Sequence, residues 1–101
     1  MVTWYLYRLL PHRPDFAATM TAEESAAMFE HFAYWRGHLD AGRVLVFSPV
    51  ADPGRSWGFA VVSGEADELA DLRAADPAVK AGYADADFLL LPSPVIAGRP
   101  Q

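Results

Sequence analysis

The stretch "VTWYLYRLL" at residues 2–10 is apolar on both of its faces, and this narrows the open folds more than any other feature. Side chains alternate along a strand, so Trp4 and Leu6 point one way while Tyr5, Tyr7 and Leu9 point the other. A sheet with one wet face would show polar residues in one of these sets. "VLVF" at 44–47 and "FLLL" at 88–91 repeat the two-sided pattern. Both faces of the sheet therefore need a cover.

The elements available to provide it follow from local signals. Residues 11–20, "PHRPDFAATM", carry two prolines and no periodicity, which predicts a loop. Thr21 and Glu24 form a capping-box pair that opens a helix over about 22–41. Met28, Phe32, Trp35 and Leu39 then mark its buried stripe, and Gly42 ends it. "RVLVFSPV" (43–50) and "WGFAVVS" (57–63) read as a hairpin around the turn "ADPGRS". A short acidic helix, "EADELADLR", follows, then one further turn capped by Asp76 and Pro77 and closed by Gly82. The last strand covers about 83–91.

This order, β-α-β-β-α-β, predicts an α+β ferredoxin-like fold, a four-stranded antiparallel sheet with helices on one face. A bare apolar second face exceeds what monomers usually expose, so a homodimer packed sheet to sheet is expected. Folding of the tail over that face is the competing reading. Residues 1–92 form one domain on this account, and 93–101 a proline-rich tail.

Composition excludes several functions. Eight Lys and Arg against thirteen Asp and Glu give a net charge of −5, and the basic residues are scattered singly, which argues against nucleic acid. The chain has no cysteine, so thiolate catalysis, cysteine metal sites and disulfides are out. "VTWYLYRLL" has no basic leader and is too short to span a bilayer, so no membrane is expected and the cytoplasm is the default location.

Three segments carry a resemblance to a known family: "EHFAYW" (30–35), "GRVLVFSP" (42–49) and, above all, "AADPAVKAG" (74–82). Over roughly residues 28–90 the chain resembles the YCII-related (YciI-like) domain proteins. The resemblance implies a dimeric α/β barrel built on the ferredoxin-like unit, with a His and Asp pair in a cleft as acid/base apparatus. Carried over, these are His31 and Asp76. Phe32 stands where leucine is usual, Ser48 where glycine commonly precedes Pro49, and Ala78 where an aromatic often follows Asp-Pro. The implied activity is an isomerase or lyase type of reaction on a small organic molecule, with no cofactor.

Each candidate also has a plainer explanation. His31 is either a general acid/base or a histidine at a core boundary. Asp76 is an ordinary N-cap, and one oxygen capping leaves the other free to accept from His31. His38 lies too far along the helix to share a metal with His31 and is expected to help the helix C-terminal carbonyls. No Cys/His/Asp/Glu cluster has ligand spacing, so no metal is expected. Arg13, with His12, offers positive charge to an anionic ligand or is solvated; Ser48 is a pocket hydroxyl or a strand-end residue. Trp35, with Trp4, Tyr5, Tyr7 and Trp57, lines a pocket or packs in core and interface. The second function class left open is a binding or dimerisation domain without catalysis.

Overall fold

A computed structural model describes residues 2–98, so the tail residues 99–101 lie outside the described part. The strands are β1 (Trp4–Pro11), β2 (Val44–Val50), β3 (Trp57–Ser63) and β4 (Ala84–Leu91). The helices are α1 (Phe16–Thr19), α2 (Ala22–Asp40), α3 (Leu69–Ala74, entered through a 3-10 turn at Ala66–Glu68) and α4 (Pro77–Lys80). The sheet order is β2-β3-β1-β4 with every pairing antiparallel, which is the ferredoxin-like arrangement expected from the element order.

The two prolines inside strands sit where a missing N–H costs little. Pro49 lies on the edge strand β2, and Pro11 lies beyond the point where β1 stops pairing with β3, at Leu9 opposite Gly58. The register places Tyr7 between Ala60 of β3 and Phe88 of β4. Tyr7, Leu9, Ala60, Val62, Val44, Ala84 and Ala86 thereby share one face, and Trp35, Leu72 and Ala78 from the helices complete the buried core against them. Gly42 and Gly82 follow α2 and α4 with φ of 83° and 80°, the left-handed conformation expected at helix ends.

The opposite face is the apolar surface foreseen from the two-sided strands. Leu6 lies between Val61 and Leu89, and Arg8 between Phe59 and Asp87. Val46 and Leu89 are exposed on it. Arg8 and Asp87 form a two-pronged ion pair (Nε to Oδ1 2.9 Å, Nη2 to Oδ2 2.6 Å), the polar feature in its middle.

One element differs from expectation. The loop before α2 contains the single helical turn α1, whose Phe16 is buried while Ala17, Ala18 and Thr19 are exposed. Arg13 secures it by donating to Thr19 Oγ1 (2.9 Å) and to both oxygens of Glu24 (2.8 Å each). Glu24 simultaneously closes the capping box, accepting from the Thr21 amide at 2.9 Å while its own amide donates to Thr21 Oγ1 at 3.1 Å.

The hydrogen bonds from Arg13 and then from the Thr21 amide lower the Glu24 carboxyl from 4.5 to about 2. Because the folded-state value lies below the unfolded one, this carboxylate contributes stability that is complete above pH 4.5 and is lost as pH falls toward 2. Glu24→Gln is therefore expected to be less stable than the parent at neutral pH and to lose less on acidification. Denaturant midpoints measured between pH 7 and pH 2 check this; parallel curves for the two proteins would count against it.

Candidate active site

Helix α2 brings its candidate site residues inward at helical spacing. The buried stripe runs Met28, His31, Trp35 and Leu39, so His31 is part of it rather than beside it. Phe32 corrects the expected stripe: it is 54% exposed and meets the Phe47 ring edge-on at 5.2 Å. The reason is angular, since Phe32 sits about 100° around the helix from His31.

Asp76 is fully buried, at 0% exposure, at the N-terminus of α4. Its Oδ1 accepts from the Ala78 amide at 2.9 Å, the capping bond, and lies 2.8 Å from His31 Nδ1. Its Oδ2 accepts from Tyr7 Oη and Trp35 Nε1, both at 2.8 Å, and lies 3.0 Å from His31 Nδ1. Capping and the histidine contact thus share Oδ1 rather than dividing the two oxygens. Four groups from β1, α2 and α4 meet at one carboxylate, and no buried side-chain polar atom among the described residues is left without a partner.

Burial alone would raise the Asp76 carboxyl; the hydrogen bond and charge of His31, then the donors Trp35 and Tyr7, outweigh it and hold the group below its usual value. Asp76 is therefore an acceptor, and Nδ1 of His31 carries the proton between them. A neutral imidazole in that tautomer has its lone pair on Nε2. Burial, followed by the charge and hydrogen bond of Asp76, pushes the Tyr7 phenol far above its usual value, so it stays protonated.

His31 also lines an apolar cavity of about 200 Å³ between α2, the sheet and α1. Tyr7, Trp35 and Phe47 provide aromatic walls, Trp57 borders the rim, and Phe16 and Met20 close the α1 side. An apolar cavity of roughly 150 Å³ suffices for benzene, so this one has room for a single substituted ring. Asp76 does not line it; the carboxylate lies behind the imidazole.

The remaining candidates fall as follows. Trp35 lines the cavity, yet its indole N–H is directed to Asp76. Ser48 is on the lining, with its hydroxyl donating to the Pro49 carbonyl at 2.7 Å. Arg13 is not brought to the lining, because Glu24 and Thr19 hold its guanidinium. His12 pairs with Asp85 at 3.3 Å. His38 packs against the rings of Tyr34 (4.8 Å) and Trp35 (5.7 Å), and burial, then the charge of Arg43, lowers its pKa, so it does not serve as a helix-end cation. Among the described residues no group of three His, Asp or Glu side chains stands close enough to hold a metal.

Tyr7 and Trp35 as donors to Asp76 were not assigned from the sequence. A hydroxyl on the inward, otherwise apolar set of β1 was the available signal, since a buried Tyr O–H needs a partner.

The fold and site together define an α+β ferredoxin-like protein in which a His31–Asp76 pair presents its imidazole to an apolar cavity and keeps its carboxylate buried behind it. No family model and no curated protein matches the chain. Among solved structures, it is similar to 5-chloro-2-hydroxyhydroquinone dehydrochlorinase (TftG) from Burkholderia phenoliruptrix AC1100 in complex with 2,5-dihydroxybenzoquinone. The TM-score is 0.63 at 17% identity, covering 90% of this chain and 93% of that one, which establishes a shared fold. No described helix is long and apolar enough to cross a membrane.

Replacing Asp76 with alanine leaves the Tyr7, Trp35 and Ala78 donors without their acceptor. Each unmet buried group costs about 1–3 kcal/mol, so a net loss of roughly 3–5 kcal/mol is expected. Equilibrium urea unfolding measures it; a loss within about 0.5 kcal/mol, typical of a surface site, would contradict the described burial.

Proposed function

We propose that the chain is a YciI-like enzyme that uses His31 as general base and acid on a small single-ring molecule, with Asp76 orienting the imidazole. The observation that carries this reading is the His31 Nδ1 to Asp76 Oδ1 distance of 2.8 Å on the inner side of a ring that lines an apolar cavity. With Nδ1–H committed to the carboxylate, Nε2 is the nitrogen available to a bound molecule. It takes a proton from an activated C–H or O–H, and the buried carboxylate stabilises the imidazolium that forms. Returning that proton to another carbon completes an isomerisation. Departure of a leaving group with its bonding electron pair completes an elimination.

The similar fold of a dehydrochlorinase supports the elimination, lyase type of reaction and a hydroxylated ring as substrate. The aromatic walls suit such a ring. The proposal takes the protein to be cytoplasmic, as a chain that has no cysteine needs no oxidising compartment.

The expected outcome is that His31→Gln lowers turnover of a chlorinated hydroquinone by about 10²–10⁴-fold, the usual range for a lost acid/base group. Binding of 2,5-dihydroxybenzoquinone should change only a few-fold. Chloride release and ligand titration give the two readouts. Equal turnover by parent and variant would refute the role of His31. Ligand binding unaffected by the substitution, with no turnover of any ring offered, would favour a binding domain.

The reading includes a homodimer through the open sheet face, on which Leu6, Phe59, Val61 and Leu89 surround the Arg8–Asp87 pair. Sedimentation is expected to give a dimer for the parent and a folded monomer for Leu89→Glu. A monomeric parent at micromolar concentration would overturn it.

A further inference from the structure

The Tyr7 hydroxyl is a part of the cluster that neither the helix cap nor the histidine contact requires. The cap is satisfied by the Ala78 amide on Oδ1, and the Trp35 indole already occupies Oδ2. Tyr7 nevertheless aims a fourth donor at that carboxylate, beside the Ala78 amide, the Trp35 indole and His31, from an interior strand of the sheet. Its ring is held between Trp35, with centroids 4.5 Å apart, and Phe88, at 4.9 Å, so the hydroxyl cannot swing away from Oδ2.

We propose that Tyr7 is a positioning residue that sets how tightly the His31–Asp76 pair holds its proton, through the 2.8 Å bond from its hydroxyl to Asp76 Oδ2. The consequence for catalysis rests on the proton-transfer reading above; the effect on the pair does not. A phenol withdraws electron density from the carboxylate without adding a positive charge. A Lys or Arg in its place would form an ion pair and compete directly with the imidazolium for Asp76. The neutral donor keeps Asp76 ionised in a fully buried position while leaving it able to stabilise a protonated His31.

The titratable and charged groups acting there come from three elements. Tyr7 stands on β1, and His31 and Tyr34 on α2. Arg73 of α3 acts on Tyr7 from a distance. No group among these substitutes for the lost hydroxyl in Tyr7→Phe, because Tyr34 donates to the Leu72 carbonyl and Arg73 to the Ala86 carbonyl. Without the phenolic donor the carboxylate is less satisfied, and the pair binds its shared proton more tightly, whichever atom carries it.

The test is an NMR pH titration of the imidazole resonances in the parent and in Tyr7→Phe, run without substrate. The variant keeps the ring and its packing, and the pair's titration midpoint is expected to move up by about one pH unit. If the enzyme reading also holds, the acid limb of the kcat profile moves by the same amount, with KM within about twofold because only transition-state proton transfer is altered. A midpoint equal to the parent's overturns the proposal, even if the variant melts at a lower temperature, since a purely structural tyrosine would lower stability alone. Turnover retained by His31→Gln would instead remove the proton-transfer reading and leave the midpoint shift standing.

Discussion

A single buried carboxylate joins the sheet, the long helix and the last helical turn of this protein. Asp76 collects donors from the central strand, the long helix and the last helical turn, and it has no contact with solvent. An ionised carboxylate in such a place is strongly unfavourable unless its oxygens are met by donors of good geometry. Meeting that demand fixes the depth at which α2 lies on the sheet and the rotation that turns His31 inward. Site and core are consequently one structure: a change that disturbs the packing of Tyr7 or Trp35 also changes the surroundings of the imidazole.

Local chemistry made much of the fold legible. The Thr21–Glu24 capping box, Gly42 after α2, and Asp76, Pro77 and Gly82 around α4 all specify backbone geometry within a few residues, and all occur where expected. Strand order followed from the sequence of elements. The turn α1 was missed because four residues directly after a proline-containing stretch are too few to display a helical period, and its support comes from Arg13 and Glu24, eleven positions apart.

The site was legible only in part. His31 and Asp76 were identified by resemblance, and the structure places their side chains at hydrogen-bonding distance. Phe32 was taken into the buried stripe because apolar residues count toward a period and a histidine does not; here the polar residue faces in and the apolar one outward. Arg13 shows the converse, a charge whose partner, Glu24 across a turn, is visible only in the folded chain. Neither pairing leaves a trace in spacing, because each depends on which surfaces meet in three dimensions.

The Arg8–Asp87 pair gives the open sheet face a grammar that an unbroken apolar surface would lack. Any layer laid over it must either bring polar atoms to that spot or bury two charges with only each other for company, and sliding by one residue along a strand would exchange the side chains presented there. For any layer laid over that face the pair would act as a locating pin, favouring one alignment and penalising the shifted ones. The same two residues make an otherwise hydrophobic sheet face less indiscriminately adhesive.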